Sequence, residues 1–291
     1  LMNDKELLGA NAAIEGGTFI AVLLGTIIGT LAAKNGEWQL IAVLTISVAA
    51  IGTLSGTLVP KTGAAAPDLK ITKNIFASTR AQLKNAWGTD LTRWTIIGIS
   101  WIWAYGSISI SQFPVIVKDH LGGDPSVVTL FMTCFSVGIG FGSFLCSRLL
   151  KGSISARLAY PALAALTLIG VAIFLLIPEA KEVDTLMTME AFISIPLNWV
   201  MLGLLVLAAI FAGMVIVPFY SILQHETARQ QRSRMIAANN IINSGFMATG
   251  AIIAAILLTI GLTTPQVMLI TGLANLAILP SAKRLNAQLG T

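Results

Sequence analysis

Long apolar runs alternate with short polar segments along almost the whole chain. Eight runs are long enough to cross a bilayer core, which takes about 20 residues of helix. They are residues 10–33, 38–59, 94–117, 127–147, 157–177, 198–222, 236–260 and 265–281. Each run contains Gly, and several contain Ser or Thr, which favours close packing of helices in lipid. The pattern predicts an all-α polytopic membrane protein with eight transmembrane helices.

One polar stretch, residues 60–93, separates two apolar runs before it from six after it. We call it the connector. Pro60, Gly63 and Pro67 break the preceding helix, and apolar and basic residues then recur at roughly helical spacing. This spacing predicts an amphipathic helix on the membrane surface; a linker helix in water is the alternative. The sequence thus divides into residues 1–59, the connector and residues 94–291.

Basic residues are distributed unevenly between the loops. If the eight segments cross the membrane in turn, fifteen of the 18 Lys and Arg residues lie on one side, and only Lys34, Lys118 and Lys181 lie on the other. Cytoplasmic loops carry an excess of Lys and Arg. Both termini and the connector are therefore predicted to be cytoplasmic.

Composition and spacing argue against several function classes. Hydrophobic residues make up 55% of the chain and charged residues 11%, against about 25% charged in soluble domains. The net charge of +5 reflects cytoplasmic loops, so no nucleic-acid partner is predicted. Cys134 and Cys146 lie in one segment, too far apart along a helix for a disulfide. No metal-ligand spacing or nucleophile–base pattern is present, so we predict no catalytic residue, metal or cofactor.

An internal similarity links the first and seventh apolar runs. At an offset of 228 residues, Asn11 aligns with Asn239 and Gly17 with Gly245. Both runs start on the same predicted side, which indicates a parallel repeat; chance similarity between two helices rich in small residues is the alternative. The second copy is the fifth helix after the connector. By analogy the first copy would be the fifth of an earlier six, with four helices missing before Leu1.

Four short runs carry a resemblance to a known family. They are Gln-Phe-Pro from Gln112, Leu-Gly-Gly-Asp from Leu121, Ser-Val-Gly-Ile-Gly-x-Gly-Ser from Ser136 and Ile-Ala-Ala-Asn-Asn from Ile236. With them, the chain resembles the lysophospholipid transporter family of the major facilitator superfamily. It is similar too to the transporter-like domain of bacterial fusions with acyltransferase and acyl-carrier-protein synthetase domains. The resemblance spans nearly the whole chain.

The resemblance implies a partial major-facilitator fold: the last two helices of an N-terminal bundle and a six-helix C-terminal bundle. It implies transport of lysophospholipid, such as lysophosphatidylethanolamine, across the bacterial inner membrane by alternating access, here in an N-terminally truncated fragment. Membrane lipid, the four missing helices and a fused or associated acyltransferase would be its partners. Two alternatives stay open: a non-transporting membrane anchor for a fused acyltransferase and synthetase, and a facilitator carrier for another small solute.

Residues that could contact a substrate cluster on three predicted helices. Polar groups in hydrocarbon lack water partners, so they are expected to face the bundle or a cavity. The third segment is the most polar, and its i, i+4, i+8, i+11 positions share one face. The substrate-binding candidates are Trp101, Tyr105, Ser109 and Gln112 on that face, Asn239 and Asn243 in the seventh segment, and Tyr220 in the sixth. The alternative role for such residues is contact between helices.

Four further residues are candidates for coupling or gating. Glu15 is the only acidic residue within the eight segments, and it lies one turn from Asn11. An acidic residue inside a membrane indicates a functional site; a structural role is the alternative. In the gating loop of the superfamily, the resemblance implies Gly142 and Arg148. Cys146 and Ser147 stand where an acidic residue would be expected, which puts the charge-relay form of that motif in question.

Overall fold

The computed structural model describes residues 4–34, 36–60, 63–67, 73–180 and 185–289. Within these ranges all regular structure is helical, apart from one isolated bridge between Gly123 and Met187. The predicted all-α fold is confirmed. Three basic residues used in the charge argument, Lys61, Lys70 and Lys181, lie outside the described residues.

Ten α-helices follow one another in the described part of the chain. They are α1 (Asp4–Lys34), α2 (Trp38–Thr57), α3 (Ile75–Ala86), α4 (Asp90–Val115), α5 (Pro125–Leu149), α6 (Ala159–Leu176), α7 (Met189–Ile193), α8 (Pro196–His225), α9 (Arg232–Thr259) and α10 (Thr264–Leu289). A short π-helix, Ile116–His120, continues α4. It starts two residues after Pro114, which lacks a backbone N–H and so disturbs the hydrogen-bond register of the helix.

Side chains in the polar segments fix several helix starts. Thr89 Oγ1 accepts the backbone N–H of Thr92 at the start of α4, and Asp124 Oδ1 accepts that of Ser126 at the start of α5. Asn74 caps α3 in the same way. Each cap satisfies a backbone donor that has no partner within its own helix. The polar loops between apolar runs therefore set where the long helices begin.

Seven of the described helices are long and apolar enough to cross a membrane: α1, α2, α5, α6, α8, α9 and α10. The chain is thus a multi-pass membrane protein. α4 has 26 residues, which is long enough, but no membrane-length stretch of it reaches the hydropathy found in the other seven. The predicted count of eight spans is not confirmed for this reason. α4 nevertheless lies centrally, in contact with α8, α9 and α10.

The two ends of the bundle differ in what they contain. α3 lies within the connector and packs against α9. We call this the connector end; α1, α4 and α9 begin there, and α5, α8 and α10 finish there. We call the opposite end the far end. Ile75 and Phe76 of α3 are 75% and 89% exposed. Contact of this apolar surface with lipid stays a prediction.

α5 and α8 form the most extensive helix contact, and glycine permits their close approach. A Cβ on Gly142 would overlap the carbonyl oxygen of Ile210. One on Gly213 would lie 2.6 Å from the carbonyl oxygen of Ile139. Both distances are too short for a side chain, so the two backbones pack directly against each other. This contact forms the centre of the bundle.

α1 lies antiparallel against α5. A Cβ on Gly9 would lie 3.9 Å from Ser147 Oγ, and one on Gly16 would lie 3.9 Å from the Cα of Gly140. The two helices therefore meet at a pair of facing glycines, where small residues allow close approach in lipid. α2 packs against α1 and buries none of its residues. Most of its apolar side chains are exposed, and Ile41 and Leu44 are half-buried.

Aromatic rings form a continuous chain of contacts from the middle of α4 towards the far end. Successive ring centroids are 5.7–6.3 Å apart, mostly in edge-to-face geometry. The chain runs through Trp103, Phe19, Phe135, Phe113, Phe131 and Phe192. It joins α1, α4 and α5 to the short helix α7, because aromatic pairs at this spacing attract each other beyond simple burial.

Replacing Gly142 by Ala is expected to destabilise the α5–α8 contact. The added methyl group has no space against the Ile210 carbonyl, so the free energy of unfolding should fall by about 1–3 kcal/mol. Gly203→Ala on α8 is the matched control, since nothing lies within 4 Å of its added Cβ. Thermal unfolding of the purified protein in detergent compares the two. Equal melting temperatures for both variants would contradict the close approach.

Candidate functional site

Near the connector end, α1 is hydrogen-bonded to α8 through Asn11. Asn11 Nδ2 donates to Ser221 Oγ at 3.0 Å, and Gln224 Nε2 donates to Asn11 Oδ1 at 2.9 Å. Asn11 and Ser221 are buried. A buried amide in hydrocarbon must find partners within the protein. Here both its donor and its acceptor are used, and both partners lie on the same neighbouring helix.

α4 is hydrogen-bonded to α8 and α9 at a similar depth. Ser100 Oγ donates to Asn243 Oδ1 at 2.6 Å. Trp103 Nε1 donates to the Tyr220 hydroxyl at 3.0 Å, and Asn243 Nδ2 lies 3.5 Å from the same hydroxyl. We call this whole set the polar layer: Asn11, Ser100, Trp103, Tyr220, Ser221, Gln224 and Asn243. It connects four helices across the connector half of the bundle.

Two buried oxygen atoms beside the polar layer have no hydrogen-bond donor among the described residues. They are Glu15 Oε2 and Asn239 Oδ1. Glu15 is 6% exposed and Asn239 is fully buried. Glu15 lies one turn after Asn11 on α1, and Asn239 lies one turn before Asn243 on α9. Unsatisfied acceptors in hydrocarbon are costly, so these two atoms mark a place that could accept a proton or a cation.

A central cavity of about 390 Å³ lies next to the polar layer, on the side of the far end. α1, α4, α5, α8 and α9 enclose it. Its apolar walls include Phe19, Val22, Ile110, Phe135, Ile139 and Ile216. The residues in its lining that carry a polar side-chain group are Thr18, Trp103, Tyr105, Ser107 and Ser111. An apolar pocket with a few polar groups is typical of a small-molecule site.

A second cavity of about 540 Å³, the far cavity, lies between α1, the end of α4 and the start of α5. Residues with polar side-chain groups make up a larger share of its walls than of the walls of the central cavity. They include Thr26, Thr30, Pro114, Lys118, Asp124, Thr129 and Met132.

The sequence-based substrate candidates divide into three groups in the structure. Tyr105 lines the central cavity. Tyr220 and Asn243 belong to the polar layer, with Asn239 beside it. Trp101, Ser109 and Gln112 are not among the residues that line that cavity. Contact with a substrate stays a prediction for all seven.

Local hydrogen bonds explain why part of the predicted α4 face turns away from the central cavity. Trp101 Nε1 donates to Asn275 Oδ1 on α10 at 2.7 Å. Ser109 Oγ donates to the Tyr105 carbonyl, and Gln112 Nε2 donates to Ser111 Oγ. These groups satisfy each other within α4 or at a helix contact, which leaves the neighbouring face to the cavity.

The sequence-based candidates do not include the stripe of α4 that does face the cavity, although Ser107 and Ser111 are recognisable from the sequence as polar residues on an adjoining face. Trp103, Ser107 and Ser111 are spaced at i, i+4 and i+8, the same kind of pattern as the predicted face. Phe19 on α1 and Phe135 on α5 were overlooked as well. Aromatic residues in an apolar run give no signal that separates a cavity wall from a packed core.

The candidate gating residues on α5 lie away from the cavity. Gly142 is buried in the α5–α8 contact. The Arg148 guanidinium lies 4.8 Å from the centre of the Phe144 ring, near the connector end. Cys146 donates its S–H to the Met214 carbonyl at 3.6 Å. The contacts of Gly142 and Cys146 join α5 to α8, whereas that of Arg148 stays within α5; a gating role for Gly142 and Arg148 stays a prediction.

Comparison with known proteins places this helix bundle in a family. The model of the Major Facilitator Superfamily matches residues 95–284, well over half of the chain. The chain belongs to the major facilitator superfamily. The match covers α5 to α9 completely and most of α4 and α10, so both cavities lie against helices of the superfamily domain. The superfamily assignment made from the sequence is confirmed.

Within the superfamily, the chain is similar to proteins named lysophospholipid transporter LplT. The protein of Cronobacter sakazakii is 26% identical over 251 residues, which is 83% of this chain and 55% of that protein. That of Photorhabdus laumondii is 27% identical over 237 residues, 79% of this chain and 53% of that protein. That of Klebsiella pneumoniae strain 342 is 25% identical over 232 residues, which is 77% of this chain and 52% of that protein. The chain therefore spans about half the length of these relatives.

Single cysteines should distinguish the two faces of α4. In a variant with Cys134 and Cys146 replaced by Ala, Ser107→Cys is expected to react with a small maleimide. Ser109→Cys is the matched control, because residue 109 is buried and packed within the bundle. Buried thiols are nearly inert, so its labelling should be at least about tenfold slower. Mass spectrometry of the labelled protein measures both rates. Faster labelling at position 109 would contradict the placement of the cavity.

Proposed function

We propose that the protein moves a lysophospholipid across the membrane by alternating access. The observation that carries this proposal is the central cavity: an apolar space of about 390 Å³ with a few hydroxyl groups in its lining. An amphiphile with one acyl chain matches such a lining, since apolar atoms are buried there and few charged groups are present. The names of the similar proteins support the same substrate class. A small polar solute would find few partners on these walls.

The proposal includes a place in the cell and a division of the chain. The protein lies in a bacterial inner membrane with both termini and the connector in the cytoplasm, as the excess of Lys and Arg in those segments supports. Residues 1–59 act with one moving bundle, and residues 94–291 form the other. The connector joins the two. Alternating access then changes the contact between α1 on one side and α5 and α8 on the other.

Asn11 acts as a gate in this proposal. Its two hydrogen bonds to α8 hold α1 against α8 at the connector end, while the far cavity lies towards the other end. This arrangement corresponds to a carrier closed to the cytoplasm. Opening the cytoplasmic side requires both bonds to break. Gly142 and Arg148 both act from α5, where Gly142 preserves the packing against α8 during the movement.

Glu15 acts as the coupling residue in this proposal. Its carboxyl group is buried one turn from the Asn11 gate, and one of its oxygens lacks a hydrogen-bond donor within the described part of the chain. A carboxylate in that environment is costly unless a proton or cation neutralises it. Release of that proton or cation would accordingly favour the opening of the α1–α8 contact to water.

A transport assay tests the proposed function directly. Proteoliposomes containing the protein should move fluorescent lysophosphatidylethanolamine from the outer leaflet to a pool that albumin cannot extract, faster than protein-free vesicles. Ser107→Trp should abolish the part of this lipid movement that depends on the protein, because the indole fills the central cavity. Ser244→Trp is the control, since residue 244 is exposed on α9. A rate equal to that of empty vesicles for the unsubstituted protein would overturn the proposal.

Replacing Asn11 by Leu should open the connector end. The change removes two interhelical hydrogen bonds worth about 1–2 kcal/mol together in a membrane. The closed population should then decrease relative to the open one by about 5- to 30-fold. Distances between spin labels at Ala13 and Ala228, measured by pulsed electron resonance, report the change. Ser244→Leu is the control. An unchanged distance distribution in Asn11→Leu would refute the gate.

A further inference from the structure

The central and far cavities follow one another along the same three helices. On α1, the central cavity is lined by Thr18 and Val22 and the far cavity by Thr26 and Thr30. These four positions are spaced by four residues, so they lie on one side of the helix. The step from Val22 to Thr26 is one turn, about 6 Å along the axis. The two cavities therefore adjoin end to end along one stripe of α1.

The other two helices show the same continuity. On α4, Ser111 lines the central cavity and Pro114 the far cavity, less than one turn later. On α5, Phe135 and Met132 are related in the same way, in the opposite chain direction. Three helices thus carry one groove from the polar layer to the far end.

The chemistry of the groove changes along its length. Near the polar layer its walls are aromatic and aliphatic, with Phe19, Phe135 and Ile139. At the far end they carry the hydroxyl groups of Thr26, Thr30 and Thr129. The cation Lys118 lies there as well, together with Asp124, whose carboxylate accepts hydrogen bonds from the backbone N–H and the hydroxyl of Ser126. An apolar inner part, followed by an outer part that offers hydroxyl groups and an ammonium group, is complementary to an amphiphile with one chain and an anionic head.

Lys118 stands out because its charge has no acidic partner among the described residues. It lies in the π-helix that follows Pro114. π-Helical turns occur often at functional sites, because the wider turn redirects side chains. An ammonium group is a compact donor of three hydrogen bonds and binds phosphate oxygens well.

Resting on the proposed function, we propose that this groove binds one lysophospholipid with its acyl chain in the central cavity and its phosphate at Lys118. The chain end then lies next to Phe19 and Trp103, above the polar layer. The glycerol lies between, beside Thr26. The headgroup faces the far end, which is the orientation of a lipid that enters from the outer leaflet.

Binding by purified protein in detergent tests the phosphate contact. Displacement of tritiated 14-carbon lysophosphatidylethanolamine gives the affinity. Lys118→Gln should weaken it about three- to tenfold, the range of a charge-assisted contact at a partly exposed site. Lys118→Arg should retain most of it. Lys73→Gln, which removes an exposed charge in the connector, is the matched control. A 14-carbon monoacylglycerol, which has the same chain without phosphate, should bind equally to the unsubstituted protein and to Lys118→Gln.

Competition with other anions distinguishes a lipid phosphate from free phosphate and from a carboxylate as the ligand of this site. Inorganic phosphate should not displace the lysolipid, since it lacks the chain. A 14-carbon fatty acid should bind more weakly than the lysolipid. Equal loss of monoacylglycerol and lysolipid binding in Lys118→Gln would overturn the assignment, as would displacement by phosphate alone.

Chain length tests the central cavity. Each methylene that enters an apolar site contributes about fourfold in affinity, so binding should rise from 10 to 14 carbons. Gly106→Leu directs a side chain into the cavity, and its Cβ meets only the Phe135 ring at 3.8 Å. The variant should lose this rise while it keeps its dependence on Lys118. An unchanged chain-length profile in Gly106→Leu would overturn the placement of the chain.

The transport assay keeps this inference distinct from the proposed function. Binding that depends on Lys118, without any movement of lysolipid in vesicles, refutes the transport function and supports the site. Movement of lysolipid that is the same in Lys118→Gln and the unsubstituted protein, with unchanged binding, refutes the site and supports the function.

Discussion

Hydrogen bonding inside a medium without water is the constraint on which this structure depends. The long helices satisfy their own backbones, but an asparagine, serine or tyrosine at membrane depth needs a partner on another helix. Asn11 finds two on α8, and Asn243 finds Ser100 on α4. The polar layer thereby fixes the depth and rotation of α1, α4, α8 and α9 relative to one another. The cavity next to it owes its shape to that alignment.

The helices were largely predictable because helices that cross lipid require long apolar runs, which are easily recognised in a sequence. The apolar run 127–147 corresponds to α5, Pro125–Leu149, and the run 198–222 to α8, Pro196–His225. The observed helices are longer, because a helix continues into the polar region until a cap or loop stops it. α4 is absent from the seven apolar membrane-length helices for the same physical reason that makes it central. Its polar residues meet partners within the bundle rather than lipid.

The site was less predictable because helix spacing tells which residues share a face but not where that face points. Two polar stripes of α4 fit the sequence equally well. Ser109 donates a hydrogen bond to the backbone of its own helix and does not line the central cavity, while Ser107 does line it. The contact between Asn11 and Ser221 joins residues 210 positions apart. The sequence singled out Asn11 through its similarity to Asn239, but nothing in it indicated Ser221 as the partner.

The facing glycines of α1 and α5 have a mechanical consequence. Gly16 touches α5 with no side chain in between, so α1 can tilt there with little obstruction. The contact is off centre in the 31-residue helix: about 18 Å separates it from Asp4 and about 27 Å from Lys34. A tilt of α1 about this contact displaces its Lys34 end one and a half times as far as its Asp4 end. In the proposed opening movement, loss of the two Asn11 hydrogen bonds would therefore displace the Lys34 end of α1 further than the Asp4 end.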